Sequence, residues 1–233
     1  MLKLGFVFIC SLIIYYVLIL LLVKYKWVQR IYELSPQTHL QKKNVPSFGG
    51  VGIFLCLIIG LFIYKAISPE IIWCVCLFGS FAIVGFIDDF LAIAHKRNEG
   101  FSPLIKFMVQ SVLAVVFLLV FSHYMRSLGF VEYLLYWFVI VGTTNATNLS
   151  DGLDGLLPGL ALITLLGLFI YLGSIEMRIL QLIPHIIMIS MLAFLFFNFK
   201  PARIFLGDTG ALALGALFAG LSIVVGNPWI LIF

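Results

Sequence analysis

The five aspartates of this sequence, Asp88, Asp89, Asp151, Asp154 and Asp208, each fall at the end of a long apolar stretch. A carboxylate so close to hydrocarbon is costly unless it faces a polar cavity and meets a cation. Five of them on one membrane face therefore predict a cation-binding site. Asp88 and Asp89 close the third apolar stretch in Gly85-Phe86-Ile87-Asp88-Asp89-Phe90. A helix ending there would set its partial negative charge beside two mutually repelling carboxylates. Lys96, Arg97, Lys106 or a divalent metal would have to compensate. Neighbouring helical side chains point about 100° apart, so the two aspartates are expected to divide the work. A plain solvated helix end is the alternative.

Two further segments have the composition of a polar site. In Asn145-Ala-Thr-Asn148-Leu-Ser-Asp151-Gly-Leu-Asp154-Gly155 a turn with Asp151 as helix N-cap accounts for one aspartate and leaves the other unexplained. Asp151 and Asp154, three apart, would share a helix face, and Asn145 and Asn148 add amides suited to a sugar, a base or a phosphate. In Asn198-Phe-Lys200-Pro201-Ala-Arg203-Ile-Phe-Leu-Gly207-Asp208-Thr209-Gly210, Asp208 is either another N-cap or a ligand. Lys200 and Arg203 bring positive charge, the following helix offers free N–H groups, and the flanking glycines admit close backbone approach. Carboxylates beside cations and helix starts suit a magnesium-bridged diphosphate, because magnesium takes one or two carboxylates and draws its other ligands from phosphate and water. A basic stretch, His39-Leu-Gln-Lys42-Lys43-Asn44-Val-Pro46-Ser47-Phe-Gly49-Gly50, is either a topology signal or an anion site at a glycine-rich helix start. The histidines His39, His95, His123 and His185 are too scattered to suggest a metal cluster.

The elements that must carry these residues are membrane helices. The sequence is 63% hydrophobic and 10% charged, with a mean hydropathy of +1.19, which excludes an ordinary soluble domain. Eight stretches approach the roughly 20 apolar residues that a crossing requires. They lie near residues 4–23, 48–66, 70–88, 105–122, 132–148, 155–173, 179–197 and 209–226, and the first is read as a retained helix. No alternating pattern of a barrel strand is present. The expected fold is an all-α polytopic membrane bundle in a single domain, 1–233, with a cleft on its cytoplasmic face. Lys24, Lys26, Arg30, Lys42, Lys43, Lys96, Arg97, Lys106, Lys200 and Arg203 fall on one side, and Lys3, Lys65, Arg126 and Arg178 on the other. This bias places the richer side and all five aspartates in the cytoplasm, and the N-terminus outside. A net charge of +4 favours anionic headgroups or phosphorylated ligands, and nothing suggests nucleic acid. Cys10, Cys56, Cys74 and Cys76 sit within apolar stretches as small hydrophobes.

Four ordered motifs carry a family resemblance. They are Thr38-His39 through Gly50, Gly85 through Phe90 with the following Asn98-Glu-Gly100-Phe-Ser102, Asn145 through Gly155, and Asn198 through Gly210. Together they resemble the phospho-N-acetylmuramoyl-pentapeptide transferases, within the polyprenyl-phosphate N-acetylhexosamine-1-phosphate transferases. The resemblance implies a magnesium-dependent reaction in which undecaprenyl phosphate attacks UDP-N-acetylmuramoyl-pentapeptide to give lipid I and UMP. It also implies a multi-pass protein of the bacterial cytoplasmic membrane and a homodimer. By motif match it assigns catalysis to Asp88, Asp89 and Asp208, magnesium binding to Asp208 and Asp151, and substrate binding to Lys42, Ser47, Lys106, Asn148, Asp151, Asp154 and Asn198. The family has ten spans and a cytoplasmic histidine-rich motif before the last. Neither occurs before Phe233, so a form lacking the C-terminal spans is expected, and Ala92 stands where many members carry lysine. Transfer of N-acetylglucosamine-1-phosphate, a cation or proton pathway, and an inactive binding remnant are the competing readings. Donor preference, the one-sided gathering of carboxylates and magnesium-dependent turnover respectively discriminate them.

Overall fold

The computed structural model describes residues 2–27, 45–95 and 100–231. Eight α-helices follow one another: α1 (Leu2–Lys24), α2 (Gly49–Tyr64), α3 (Pro69–Ala94), α4 (Pro103–Tyr124), α5 (Phe130–Ser150), α6 (Leu156–Ser174), α7 (Leu182–Asn198) and α8 (Gly207–Val225). A 3-10 turn, Pro228–Leu231, follows, and no strand occurs among the described residues. Each apolar stretch has become one helix. Serine followed by proline opens both α3 and α4. Ser68 accepts from Ile71 N at 3.3 Å and Ser102 from Ile105 N at 3.4 Å, while Pro69 and Pro103 occupy first-turn positions where a missing N–H costs nothing.

Of the eight helices, α1, α3, α4, α6 and α8 are long and apolar enough to cross a membrane. The other three fall short for identifiable reasons. α2 and α7 have 16 and 17 residues, about 24–26 Å at 1.5 Å per residue, against a hydrocarbon core of about 30 Å. α5 has 21 residues but gives its last turns to Thr143, Thr144, Asn145, Thr147 and Asn148. Three local expectations change as well. α3 runs on to Ala94, so Asp88 and Asp89 lie more than a turn inside it, away from the terminal carbonyls. Asp151 ends α5 as its C-cap and does not start α6. Residues 151–155 form turns, so Asp151 and Asp154 do not share a helix face.

α8 is the axis of the bundle, packed mainly against α3 and α5 and also touching α2 and α6. Of its most apolar window 83% is buried, compared with 22% for α1 and for α4. Small residues make this possible, since backbones in lipid approach closely only where side chains are short. A Cβ on Gly50 would strike the backbone of Gly210, one on Gly85 the backbone of Asp208, and one on Gly215 the α5 residues Thr144 and Thr147. Threonines of α5 then bond across the seam: Thr143 Oγ1 donates to Gly215 O at 3.0 Å and Thr147 Oγ1 to Ala211 O at 2.8 Å.

The segment before α2 is bound to the segment before α8. Phe205 N donates to Pro46 O at 2.8 Å, Gly49 N to Phe205 O at 2.9 Å and Gly50 N to Leu206 O at 3.1 Å. Phe48 caps α2 with φ 77°, a left-handed conformation costing a bulky residue on the order of 1–2 kcal/mol. Burial offsets that cost. The Phe48 ring is 1% exposed, with Phe86 at 5.0 Å and Trp27 at 5.5 Å between centroids.

The glycine seam yields opposite outcomes for one substitution type. Gly85→Ala should lower the apparent Tm in detergent, with an overpacking cost of about 1–3 kcal/mol. Gly142→Ala and Gly167→Ala, where a Cβ meets nothing within 4 Å, should leave it unchanged or raise it, because alanine favours the helix by up to about 1 kcal/mol. Thermal unfolding of the three variants checks this.

Candidate active site

Asp89, on α3, is the fixed point of the polar end of the bundle. Its Oδ1 accepts from Asp208 N at 3.2 Å, and its Oδ2 accepts from Thr209 N at 3.0 Å and Thr209 Oγ1 at 2.7 Å. The free N–H groups of a helix start need an acceptor. Leu206, at the N-cap position of α8, supplies no side-chain bond, so a carboxylate from another helix caps α8. Asp208 is consequently a first-turn residue and not the cap. Both oxygens of Asp89 are engaged in this bracing, whereas the neighbouring Asp88 turns toward Lys106 of α4.

Asp88 and Asp208 face each other through Lys106 of α4. The Lys106 ammonium pairs with Asp208 and lies 3.1 Å from Asp88 Oδ2. The other Asp88 oxygen accepts from Phe101 N at 2.7 Å. Gly100 permits that approach, since a Cβ there would strike the Asp88 backbone. Asp88 is 6% exposed, whereas the Asp208 side chain is 24% exposed, so Asp208 is the member open to a ligand.

Asp151 completes the cluster from the α5 side. Its carboxylate stands near the backbone N–H of Gly207, the residue that opens α8 with φ 73°. Burial raises its pKa well above the usual carboxylate range, and the charges of Asp208 and Asp89, with a smaller push from Asp154, act the same way. All five carboxylates are thus brought to one end of the bundle. Among the described residues Lys106 is the cation in ion-pair contact with them. Among the described residues that ammonium pairs with two of the carboxylates, those of Asp88 and Asp208.

The remaining predicted residues divide. Ser47 is 1% exposed, lies beside Gly207 and Asp89, and its Oγ has no partner among the described residues. The Asn148 Nδ2 is likewise buried without a partner among them. Both are donors placed to take a ligand oxygen. Asn198 is committed elsewhere: its Oδ1 accepts from Gly155 N at 2.9 Å and its Nδ2 donates to Ile204 O at 2.8 Å. This residue ties the turn before α6 to the loop before α8 and acts as a positioning residue. Asp154 stands in that turn, near enough to Asp151 to act on its charge. Lys200 and Arg203 are exposed. Lys42, with the stretch from His39 to Asn44, lies outside the described residues, as do Lys96 and Arg97.

Sequence reasoning missed Thr209 and Gln110. Thr209 anchors Asp89 through both backbone and side chain, and its position after Asp208 between glycines was the available signal. Gln110 lies one turn beyond Lys106 on α4. Its Oε1 accepts from Asn145 Nδ2 at 2.7 Å, joining α4 to α5, and the spacing of four from Lys106 was the clue.

The donor set is compatible with magnesium. It consists of carboxylate oxygens, with an ammonium bridging two of them. Among the described residues no three acidic or soft side chains converge enough to enclose an ion by themselves. A magnesium ion here would take Asp208 and Asp151 as its protein ligands and complete its shell from phosphate and water.

Asp88, Asp89, Lys106, Asn148, Asp151, Asp154, Asn198 and Asp208 lie within a recognised sequence family. Residues 70–226 match the model of glycosyl transferase family 4. The chain is 35% identical over 230 residues to the phospho-N-acetylmuramoyl-pentapeptide-transferase of Listeria monocytogenes (strain EGD-e), covering 91% of this chain and 70% of that protein. It is 33% identical over 234 residues to the enzyme of the same name from Bacillus subtilis, covering 93% and 72%. The Staphylococcus haemolyticus enzyme is 34% identical over 233 residues, covering 91% and 72%. With its site-forming helices inside the matched region, the chain belongs to the phospho-N-acetylmuramoyl-pentapeptide transferase family.

Proposed function

We propose that this protein transfers phospho-N-acetylmuramoyl-pentapeptide from its UDP-linked donor to undecaprenyl phosphate, giving lipid I and UMP at the cytoplasmic face of the bacterial inner membrane. The observation that carries the reading is the Asp88–Lys106–Asp208 arrangement at the polar end of a lipid-embedded bundle. A nucleotide donor must enter such a site from water, while a prenyl acceptor keeps its tail among the exposed apolar faces of the helices.

An oxygen of the acceptor phosphate forms a bond to the sugar-side phosphorus of the donor. The bond from that phosphorus to the bridging oxygen breaks, and UMP leaves with the electron pair. One diphosphate replaces another, and a phosphate monoester with a second pKa near 6 is already largely dianionic at neutrality, so little proton transfer is required. Positioning and charge neutralisation are the main demands of phosphoryl transfer. Asp88, held by Phe101 N and Lys106, orients the acceptor phosphate and takes its residual proton. Lys106 offers its ammonium to the phosphates. Ser47 and Asn148 donate to ligand oxygens, Asp154 binds the nucleotide, and Lys42 contacts phosphate. Asp89 and Asn198 hold the helix start and loops on which these groups stand. Magnesium, when bound by Asp208 and Asp151, neutralises charge on the diphosphate.

The test is UMP release from UDP-N-acetylmuramoyl-pentapeptide and undecaprenyl phosphate by the purified chain in detergent with lipid. Release should depend on magnesium, stop with EDTA, and fall on the order of 10²-fold or more in Asp208→Asn. Equal release with EDTA, or an unaffected Asp208→Asn, would sink the assignment. The raised pKa of Asp151 gives a separate expectation. A carboxyl whose native pKa exceeds its unfolded value of about 4 stabilises the fold at low pH, and that contribution disappears as pH rises through the native value. Without magnesium, Asp151→Asn should therefore have a higher Tm than the unsubstituted chain at pH 8. The gap should close toward pH 4, and saturating magnesium should reverse it at pH 8.

A further inference from the structure

Lys106 is the ammonium that meets Asp88 and Asp208, yet the helix that carries it is loosely held. Of the most apolar window of α4 only 22% is buried. Its covered face is a single stripe, Gln110, Ala114, Leu118 and Phe121, and Lys106 continues that stripe by one turn toward the site. Ala114, Leu118 and Phe121 give α4 little reason to keep one rotation, because a lipid chain covers an apolar side chain as well as a neighbouring helix does. Trp73 Nε1, which donates to Phe117 O at 3.0 Å, ties α4 to α3 about 10 Å farther from the site than Gln110. Gln110 is thus the polar anchor next to Lys106.

The Gln110 side chain is fully buried and engages α5. Its Oε1 accepts from Asn145 Nδ2 at 2.7 Å and from Thr144 Oγ1 at 3.5 Å. Its Nε2 has no partner among the described residues. A buried donor left unpaired is destabilising, and a methionine of the same length would carry no such cost. Polar side chains kept at such a cost inside a membrane bundle mark functional positions. The topology shows what this one can do. α4 runs away from the site and α5 returns to it, so one turn nearer the site than the Gln110–Asn145 bond stand Lys106 on one helix and Asn148 on the other. The bond lies about 4–6 Å beneath both.

We propose that Gln110 is a positioning residue: its bond to Asn145 fixes the rotation of α4 against α5, and so aims the Lys106 ammonium at Asp88 and Asp208 and sets its separation from Asn148. For its effect on turnover the inference rests on the transferase reading above, whereas the aim of Lys106 is measurable without substrate. A misplacement of about 1 Å can cost on the order of 100-fold in rate, so a bond that holds only the rotation of a helix can govern how Lys106 meets phosphate.

The full chain, in detergent with lipid, is pulsed with N-hydroxysuccinimidyl acetate, and acetylation of Lys106 is followed by mass spectrometry against that of the exposed Lys24. Gln110→Met should raise the Lys106-to-Lys24 ratio several-fold and leave the apparent Tm near that of the unsubstituted chain, since Asn145 Nδ2 retains Val141 O at 2.7 Å. The same variant should lower kcat for UMP release about tenfold, with KM for the UDP-linked donor little changed. Combined with Lys106→Met it should cost nothing beyond Lys106→Met alone, because the two residues act as a unit. Leu118→Ala, which loosens the packing of α4 at a buried position, should lower the Tm and leave the labelling ratio unchanged. An unchanged ratio in Gln110→Met, an equal rise in Leu118→Ala, or losses that add in the double variant would overturn the proposal. Absence of UMP release from the unsubstituted chain would tell against the transferase reading instead, and the labelling ratio would still decide the role of Gln110.

Discussion

The fold and the site both depend on one carboxylate capping the helix start of another element. Asp89 takes two backbone N–H groups and one hydroxyl from the first turn of α8. Hydrogen bonds to a charged group are worth more than neutral ones, roughly 1.5–3 kcal/mol each. They also satisfy donors that no side chain at the N-cap position of α8 satisfies. The bonds fix the rotation and height of α8 against α3, and that registry decides which neighbours meet: Asp208 turns toward Lys106, Gly207 toward Asp151 and Ser47. A shift of one residue along either helix would uncouple all of these contacts.

Close approach makes that registry possible. Where Gly85 meets Asp208 and Gly50 meets Gly210, the helices touch backbone to backbone, and no longer side chain would permit the Asp89 bonds. The same economy recurs at Gly100 against Asp88 and at Gly215 against α5. In lipid, where hydrophobicity alone does not drive helices together, such packing and the threonine bonds across it are the available attractions. Glycine content and carboxylate placement are therefore parts of one design: the first brings the helices close, the second uses the proximity to gather charge.

The two neighbouring aspartates have separate roles because they point in different directions. Asp89 faces α8 and is saturated, while Asp88 faces Lys106 and the backbone of Phe101. The brace thus stands apart from the ion pairs that Lys106 makes with Asp88 and Asp208.

Helix number, order and type were legible in the sequence, because apolar runs of this length have no stable alternative in a bilayer and Ser68-Pro69 and Ser102-Pro103 are local signals. The cost of carboxylates beside hydrocarbon likewise marked the five aspartates, with Lys106 as a nearby cation and Asn148 as a nearby amide, whereas Ser47 was marked by the family resemblance alone. The extension of α3 to Ala94, the placement of Asp151 at the end of α5 and the commitment of Asn198 to two backbone partners were not legible. Neither was the use of Asp89 as a cap in trans. Each depends on contacts between segments distant in the chain, as when residue 89 bonds to residues 208 and 209, and no local propensity encodes such pairing. The sequence by itself determined which residues cannot remain alone in a membrane. Only the tertiary structure decided which partner each would have, because hydrogen bonds and ion pairs are directional and short, and helix registry alone sets which groups come within reach.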